Sequence, residues 1–247
     1  LALGLSSARA VNISAGSTVS ESFSIGTSAT AALPTDWRAD KQPTARVVGT
    51  YSAAGTATEQ RAGNDMSPSA ANGIYNYGAG VASTATDRAV GFISSSSATK
   101  TGNLYVKLVN NGATAITSLS LSYNVEKYRD GSNTAGFQYQ LYYSTDGSTW
   151  TSAGSDFLTT FTGDADSAGF IPAPGLTKSV SSKTLAVTVA AGGTLYLCWS
   201  YSVQSGSTTS NAQGLGIDDV SITANGPASC TSPTTSFAVT GGGSFCA

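Results

Sequence analysis

The chain has 247 residues, of which 12 are Lys or Arg and 14 Asp or Glu. The charged fraction of 11% is less than half of the roughly 25% found in ordinary soluble domains. A formal net charge of −2 provides no basic field and excludes a nucleic-acid partner held through its phosphates. The absence of histidine removes Ser-His-Asp and Cys-His catalysis and the ordinary zinc sites; paired carboxylates or a non-histidine metal centre are the routes left, and no enzyme activity is expected.

The 70 Ser and Thr and the 28 Gly residues imply a surface wetted by hydroxyls and backbone. The length suits one large β domain, or one domain plus a fragment, and no apolar run approaches the roughly 20 residues of a membrane helix. Three cysteines in so polar a chain point to an oxidising exterior. Residues 1–11 (LALGLSSARAV) read equally well in two ways: as the tail of a secretory signal, with Ala8-Arg9-Ala10 as its cleavage pattern, or as an apolar strand.

From there to residue 224 the ordered-looking segments alternate with period two and none carries a helical stripe. Strands are predicted over residues 22–25, 46–51, 73–77, 89–94, 104–109, 119–128, 137–144, 185–189, 195–203 and 215–223. Turn chemistry separates many of them, at Asn110-Asn111-Gly112, Arg129-Asp130-Gly131, Asp146-Gly147 and Ala191-Gly192-Gly193. About ten short strands in this length predict an all-β, antiparallel two-sheet sandwich of jelly-roll type over residues 12–224. An immunoglobulin-type fold is the second choice, at about half the required size.

Alternation also assigns faces. Leu119, Leu121, Tyr123 and Val125 point inward with Phe137, Tyr139, Leu141, Leu195, Leu197, Trp199 and Tyr201. Glu126, Tyr128, Gln138, Gln140, Tyr142, Tyr196 and Cys198 point outward. Sugar rings stack their C–H faces on aromatics while amides and carboxylates meet the hydroxyls. The row Tyr128, Tyr142 and Tyr196, with Glu126, Gln138 and Gln140, is therefore the candidate glycan face, and a polysaccharide the candidate partner. Its rival is a face covered by a loop or a neighbouring chain. Trp37 and Trp150 read as core or turn-packing residues. Glu126 with Arg129 and Asp130 reads as a salt-bridged strand end, because no second carboxylate is placed across a sugar from it.

Asp218 and Asp219 interrupt the alternation between Ile217 and Val220, which predicts a bulge. Carboxylates and freed carbonyls there make a candidate calcium site, in competition with a simple backbone cap. Asp164-Ala165-Asp166 is a weaker candidate of the same kind. Residues 225–236 (NGPASCTSPTTS) read as a Pro/Ser/Thr linker, and residues 237–247 as the start of a second β unit or a pairing tail. Cys230 and Cys246 flank that linker and are a candidate disulfide. Cys246 bonded to a downstream domain is the alternative, and Cys198, in mid-strand, reads as a free thiol behaving as a small hydrophobe. Leu1, Leu3 and Leu5, with Phe237 and Val239, are candidates for adding a strand to a neighbouring copy, which would build a fibre or array by self-association.

The segment Gly214-Leu215-Gly216-Ile217-Asp218-Asp219-Val220-Ser221-Ile222-Thr223 resembles the closing strand of secreted bacterial β-sandwich domains. These occur in multidomain surface proteins with sorting or anchoring signals, and MAM domains and jelly-roll carbohydrate-binding modules end similarly. Leu33-Pro34-Thr35-Asp36-Trp37, Gly73-Ile74-Tyr75-Asn76-Tyr77-Gly78, Asp87-Arg88-Ala89-Val90-Gly91-Phe92, Tyr123–Arg129 and Tyr142–Trp150 fit the same pattern in order. The resemblance implies a jelly roll with an adhesive, structural or carbohydrate-binding role outside the cell, and adds weight to a structural calcium. Cys198 stands where relatives carry arginine and Ser200-Tyr201 where an acidic residue is common, so an ion pair of the family is missing there. The tail from Ser236 resembles the opening of immunoglobulin-like repeats.

Overall fold

The computed structural model describes residues 11–67, 69–167, 169, 171 and 174–227. Leu1, Leu3, Leu5, Cys230, Phe237, Val239 and Cys246 lie outside the described residues, as does most of the expected linker.

Among the described residues fourteen strands form: β1 (Val11–Ile13), β2 (Thr18–Glu21), β3 (Trp37–Gln42), β4 (Gln60–Ala62), β5 (Gly73–Gly78), β6 (Arg88–Ile93) and β7 (Thr101–Asn110) in the first half. The second half supplies β8 (Ile116–Arg129), β9 (Phe137–Ser144), β10 (Thr151–Ser152), β11 (Leu158–Phe161), β12 (Leu176–Val189), β13 (Thr194–Val203) and β14 (Gly214–Asn225). They build the expected two-sheet, jelly-roll-type sandwich. The first sheet has β7, β13 and β9 antiparallel at its centre, with β3 and β1 end to end on the outer edge of β7 and β10 and β11 end to end on that of β9. The second runs β12-β8-β14-β6-β5-β4, with β2 sharing the edge of β14 that β6 also uses. Two edge pairings, β1 with β7 and β4 with β5, are parallel, so each sheet is mixed at one margin.

Most of the turns read from the sequence carry the chain between sheets. Asn110 shows how: buried, its amide donates to the carbonyls of Thr114, Val189 and Ala190 at 2.8, 3.0 and 3.1 Å, while its Oδ1 accepts from Gly112 N–H. One side chain thereby satisfies backbone groups that no ladder reaches at this corner.

Between the sheets the alternate large side chains meet. Trp199 of β13 stacks on Trp37 of β3 at 5.5 Å, Phe23 meets Trp37 edge-on at 4.9 Å, and Tyr123 of β8 meets Trp199 edge-on at 5.7 Å. Each fully buried side chain of this size contributes about 1.5–3 kcal/mol. Leu104, Val106, Leu121, Val125, Leu141, Leu197 and Ile217 complete this interior and are sealed from solvent.

Several predicted strands are corrected. Residues 22–25 are not a strand: Phe23 takes a left-handed backbone at φ 45°, and the Glu21 carboxylate accepts its N–H at 2.7 Å. That turn swings the Phe23 ring onto Trp37. Residues 46–51 also form no ladder and cross the outside of the first sheet. Strands β2, β3, β4, β10 and β11 were not expected. In β3 the sequence WRADKQ carries three charges, and only Trp37 and Ala39 point inward. Strand β12 begins nine residues before its predicted start, because its hydroxyl-rich first half has mostly solvent-facing side chains.

Candidate functional site

On the outer face of the first sheet, alternation places Arg38, Asp40 and Gln42 of β3 beside Asn103, Tyr105 and Lys107 of β7. Tyr196, Cys198 and Ser200 of β13 and Gln138, Gln140 and Tyr142 of β9 follow across the sheet. A segment around residues 44–54 lies over part of this face, held by side chains rather than by a ladder. Arg46 N–H donates to Ser202 Oγ at 3.0 Å and its guanidinium to the Val203 carbonyl at 3.0 Å, while Asn103 Nδ2 donates to the Val47 carbonyl at 3.1 Å. The Asp40 carboxylate is the anchor beneath it, accepting from Asn103 Nδ2 at 2.8 Å, Gln42 Nε2 at 2.9 Å and Tyr105 OH at 3.0 Å. Burial raises the Asp40 pKa, and those three donors oppose the rise.

At the margin of the crossing segment the aromatics gather. Tyr51 sits 4.9 Å from Tyr196 and meets Tyr105 edge-on at 6.4 Å, and Tyr105 lies 5.4 Å from Trp150. The Arg38 guanidinium stands 4.7 Å over the Tyr51 ring and donates to the Ser52 carbonyl at 3.0 Å. Tyr51, Tyr105 and Cys198 are buried, whereas Tyr142, Trp150 and Tyr196 are half-buried. The turn before Trp150 is locked by Asp146, whose carboxylate accepts the N–H groups of Ser148 and Thr149 at 2.8 and 2.7 Å and the Ser144 hydroxyl at 2.8 Å. These donors hold the Asp146 pKa far below the usual carboxylate range. Trp150 Nε1 donates to the Gly49 carbonyl at 2.7 Å, and Tyr51 N–H donates to the Gly147 carbonyl at 2.8 Å, which ties turn and crossing segment together. Burial raises the phenol pKa of Tyr196, with Asp146 adding to the rise and Arg38 opposing it. Half-exposed rings on a rigid floor, ringed by an arginine, a carboxylate and amides, can stack on and hydrogen-bond to a polyhydroxylated surface.

The structure splits the row expected from sequence. Tyr142 and Tyr196 share this face, together with Gln138 and Gln140. Gln140 is buried and spends its amide on the Gly154 carbonyl at 3.1 Å. Tyr128 and Glu126 are corrected: both are buried on the outer side of the second sheet. Tyr128 OH donates to Glu126 Oε2 at 2.5 Å, and its ring stacks on Tyr77 at 4.5 Å, which in turn stacks on Tyr75 at 5.0 Å. Burial is the main cause that raises the Glu126 pKa. Neither residue can offer a ring or carboxylate to an external glycan. Alternation gives the outward direction correctly but cannot show which sheet each strand joins or what covers it. Tyr51, Tyr105 and Arg38 escape a sequence reading because two of them lie in or under a segment that reads as an ordinary strand.

The bulge at Asp218 and Asp219 is present: the register of β14 on β8 shifts between Asp218 and Ser221, and Asp219 has φ 49°. Asp219 accepts from Asn124 Nδ2 at 3.0 Å. Asp218 is buried, its Oδ1 has no hydrogen-bond partner, and its pKa is pushed up to about 8. Burial is the main cause, and the charges of Asp219, Glu126 and Asp87 add to it. Among the described residues no group of three or more His, Cys, Asp or Glu side chains is placed to hold a metal ion. A calcium ion wants six to eight oxygens, more than the two carboxyl groups of Asp218 and Asp219 supply. Asp164 is engaged otherwise, bridging Lys127 Nζ at 2.6 Å, Gln213 Nε2 at 2.9 Å and Gly131 N–H at 2.9 Å. Among the described residues no helix is long and apolar enough to cross a membrane.

No family model matches the chain, and no curated protein sequence matches it. Solved β-sandwich structures do. A cleaved adhesin domain of Lys-gingipain from Porphyromonas gingivalis superposes with a TM-score of 0.43 at 18% identity, covering 85% of this chain and 100% of its own. The xylan-binding CBM22-1 domain of Paenibacillus barcinonensis Xyn10C superposes with a TM-score of 0.41 at 10% identity, covering 87% of this chain and 99% of its own. Likeness at this level is too distant to carry a ligand or a residue role from either domain to this chain.

Proposed function

We propose that this chain is a non-catalytic, extracellular adhesive β-sandwich that docks on polysaccharide through the patch formed by Tyr142, Trp150 and Tyr196. The observation that carries the reading is the convergence of three half-buried rings on one face, supported from below by Tyr51 and Tyr105. Such a platform needs no charge and no induced fit, which suits a chain with so few ions. The non-catalytic part of the reading is supported by the lack of histidine and by the burial of Glu126 and Asp218, which keeps both carboxyls away from a substrate. The extracellular part is supported by the hydroxyl-rich, weakly charged composition.

The test is retention on insoluble polysaccharides, comparing the parent chain with Tyr142→Ala and Tyr196→Ala. Each substitution removes one stacking ring, worth about 1 kcal/mol beyond area burial, and should weaken retention about fivefold to tenfold without changing the melting temperature by more than a few degrees. Unchanged retention in both variants, or no polysaccharide retained by the parent, refutes the reading.

A second reading, self-association, is favoured by one feature. The outer edges of β1 and β2 pair with no described strand, and between them opens an apolar cleft of about 210 Å³ lined in part by Val11, Val19, Trp37, Leu108 and Ile222. Sedimentation showing only monomer at high concentration removes it.

A further inference from the structure

At the end of the sandwich where β8 leaves for β9 and β13 for β14, two loops enclose a groove of about 430 Å³. This is within the size range of small-ligand sites, about 300–1,000 Å³. We propose that this groove is a second ligand site, specific for a neutral saccharide and independent of the aromatic patch.

Three observations carry it. The groove is preformed. Asn133, itself buried, staples one loop to the other: its Nδ2 donates to the carbonyls of Thr208 and Ser210, both at 2.9 Å, and its N–H to the Asn211 carbonyl at 3.1 Å. Thr209 Oγ1 donates to the Ser95 carbonyl and fixes the second loop from behind. A ligand entering a groove already held open meets little ordering cost.

The groove is also lined by free hydrogen-bonding groups. The side chains of Thr134, Ser205, Thr208, Ser210 and Asn211 line it, and none of them bonds to another described residue. Each presents a donor and an acceptor, the same pairing that sugar hydroxyls offer in return. Asn211 holds a left-handed backbone at φ 53°, a region that asparagine enters more readily than most residues.

Charge, finally, sets the class. No Lys, Arg, Asp or Glu lines the groove, and Ala135 is its one apolar side chain. An acidic sugar would lose hydration without gaining a counter-charge, and an apolar ligand would strand the hydroxyls. A neutral saccharide strands nothing.

The experiment uses the full chain and follows amide NMR shifts during titration with cello-, xylo-, manno- and maltohexaose, and with a galacturonic acid oligomer as the acidic control. Asn211→Gly keeps the left-handed backbone and removes the amide, and Tyr196→Ala reports separately on the aromatic patch. The expected result is that at least one neutral hexasaccharide shifts amides in residues 132–135 and 205–211. Its affinity should fall about tenfold in Asn211→Gly, the scale of one lost hydrogen bond, and stay unchanged in Tyr196→Ala. Three results overturn the inference: no neutral sugar moves those amides; the acidic oligomer binds as well as the neutral ones; or Asn211→Gly binds normally while Tyr196→Ala does not. The last would leave the aromatic patch standing as the sole saccharide site.

Discussion

Replacing Asp218 by Asn tests the electrostatics of the bulge directly. In the folded chain burial keeps a proton on this carboxyl up to about pH 8, whereas an unfolded aspartate releases it at about pH 4. Between those values the folded state binds more protons than the unfolded one. Each tenfold fall in proton concentration across that window then costs the folded state up to about 1.4 kcal/mol. The contribution of Asp218 is therefore fully present below about pH 4 and is lost as pH rises toward 8. From pH 5 to pH 7 the ceiling is about 3 kcal/mol, and screening through the exposed side of the bulge, where Asp219 faces solvent, reduces it to about 1–2 kcal/mol. Asn has the shape of the protonated acid and can still accept the Asp219 N–H, but it does not titrate. The gap in stability between variant and parent should therefore widen in the variant's favour by that amount. For a domain of this size the gain corresponds to about 3–6 °C in melting temperature. Calorimetric melts of both proteins at pH 5, 6, 7 and 8 provide the measurement. A gap that stays constant with pH, or that closes as pH rises, would show that Asp218 is ionised in the folded chain and that the bulge is open to water or to a cation.

Two further outcomes follow from the outer face of the first sheet. A Cβ on Gly49 would sit 2.1 Å from Asp40 Oδ2 and 2.4 Å from Gln42 Nε2, so Gly49→Ala must displace the Asp40 carboxylate and the Gln42 amide from where they now meet. A loss of about 1–3 kcal/mol in denaturant unfolding is expected, and an unchanged midpoint would mean that the segment does not lie on Asp40. The Cys198 thiol is buried and its pKa is pushed well above the ordinary value, chiefly by burial. Peptide mapping after maleimide treatment of the folded chain at pH 8 should find it unlabelled, with labelling complete in guanidinium; rapid labelling of the folded chain would contradict its placement under Tyr51 and Tyr105.

Legibility differed by element, for physical reasons. Strands β8, β9, β13 and β14 could be read because both conditions for period-two reading hold: each is long, and each buries one face against the other sheet. The inward sets led by Leu119, Phe137 and Leu195 are the ones the alternation indicates, and the bulge at Asp218 was visible as its interruption. Strand β3 and the first half of β12 escaped because they are margins of their sheets, where only a few side chains are buried and charged or hydroxyl residues fill the rest. Residues 46–51 misled for the opposite reason. Val47, Val48 and Tyr51 look like a strand, yet Val48 and Tyr51 pack on a sheet face instead of pairing at an edge, and Val47 is exposed.

By itself, then, the order of amino acids determined the class of fold, the interior of the central strands and the chemical character of the surface, because burial of alternate side chains is a local pattern. Only tertiary structure decided which outward residues remain outward. Tyr128 and Glu126 became buried beside Tyr77, and Asn133 drew two distant loops into one groove. Tyr51 came to lie against Tyr196 through contacts more than a hundred residues apart, where no local periodicity can register them.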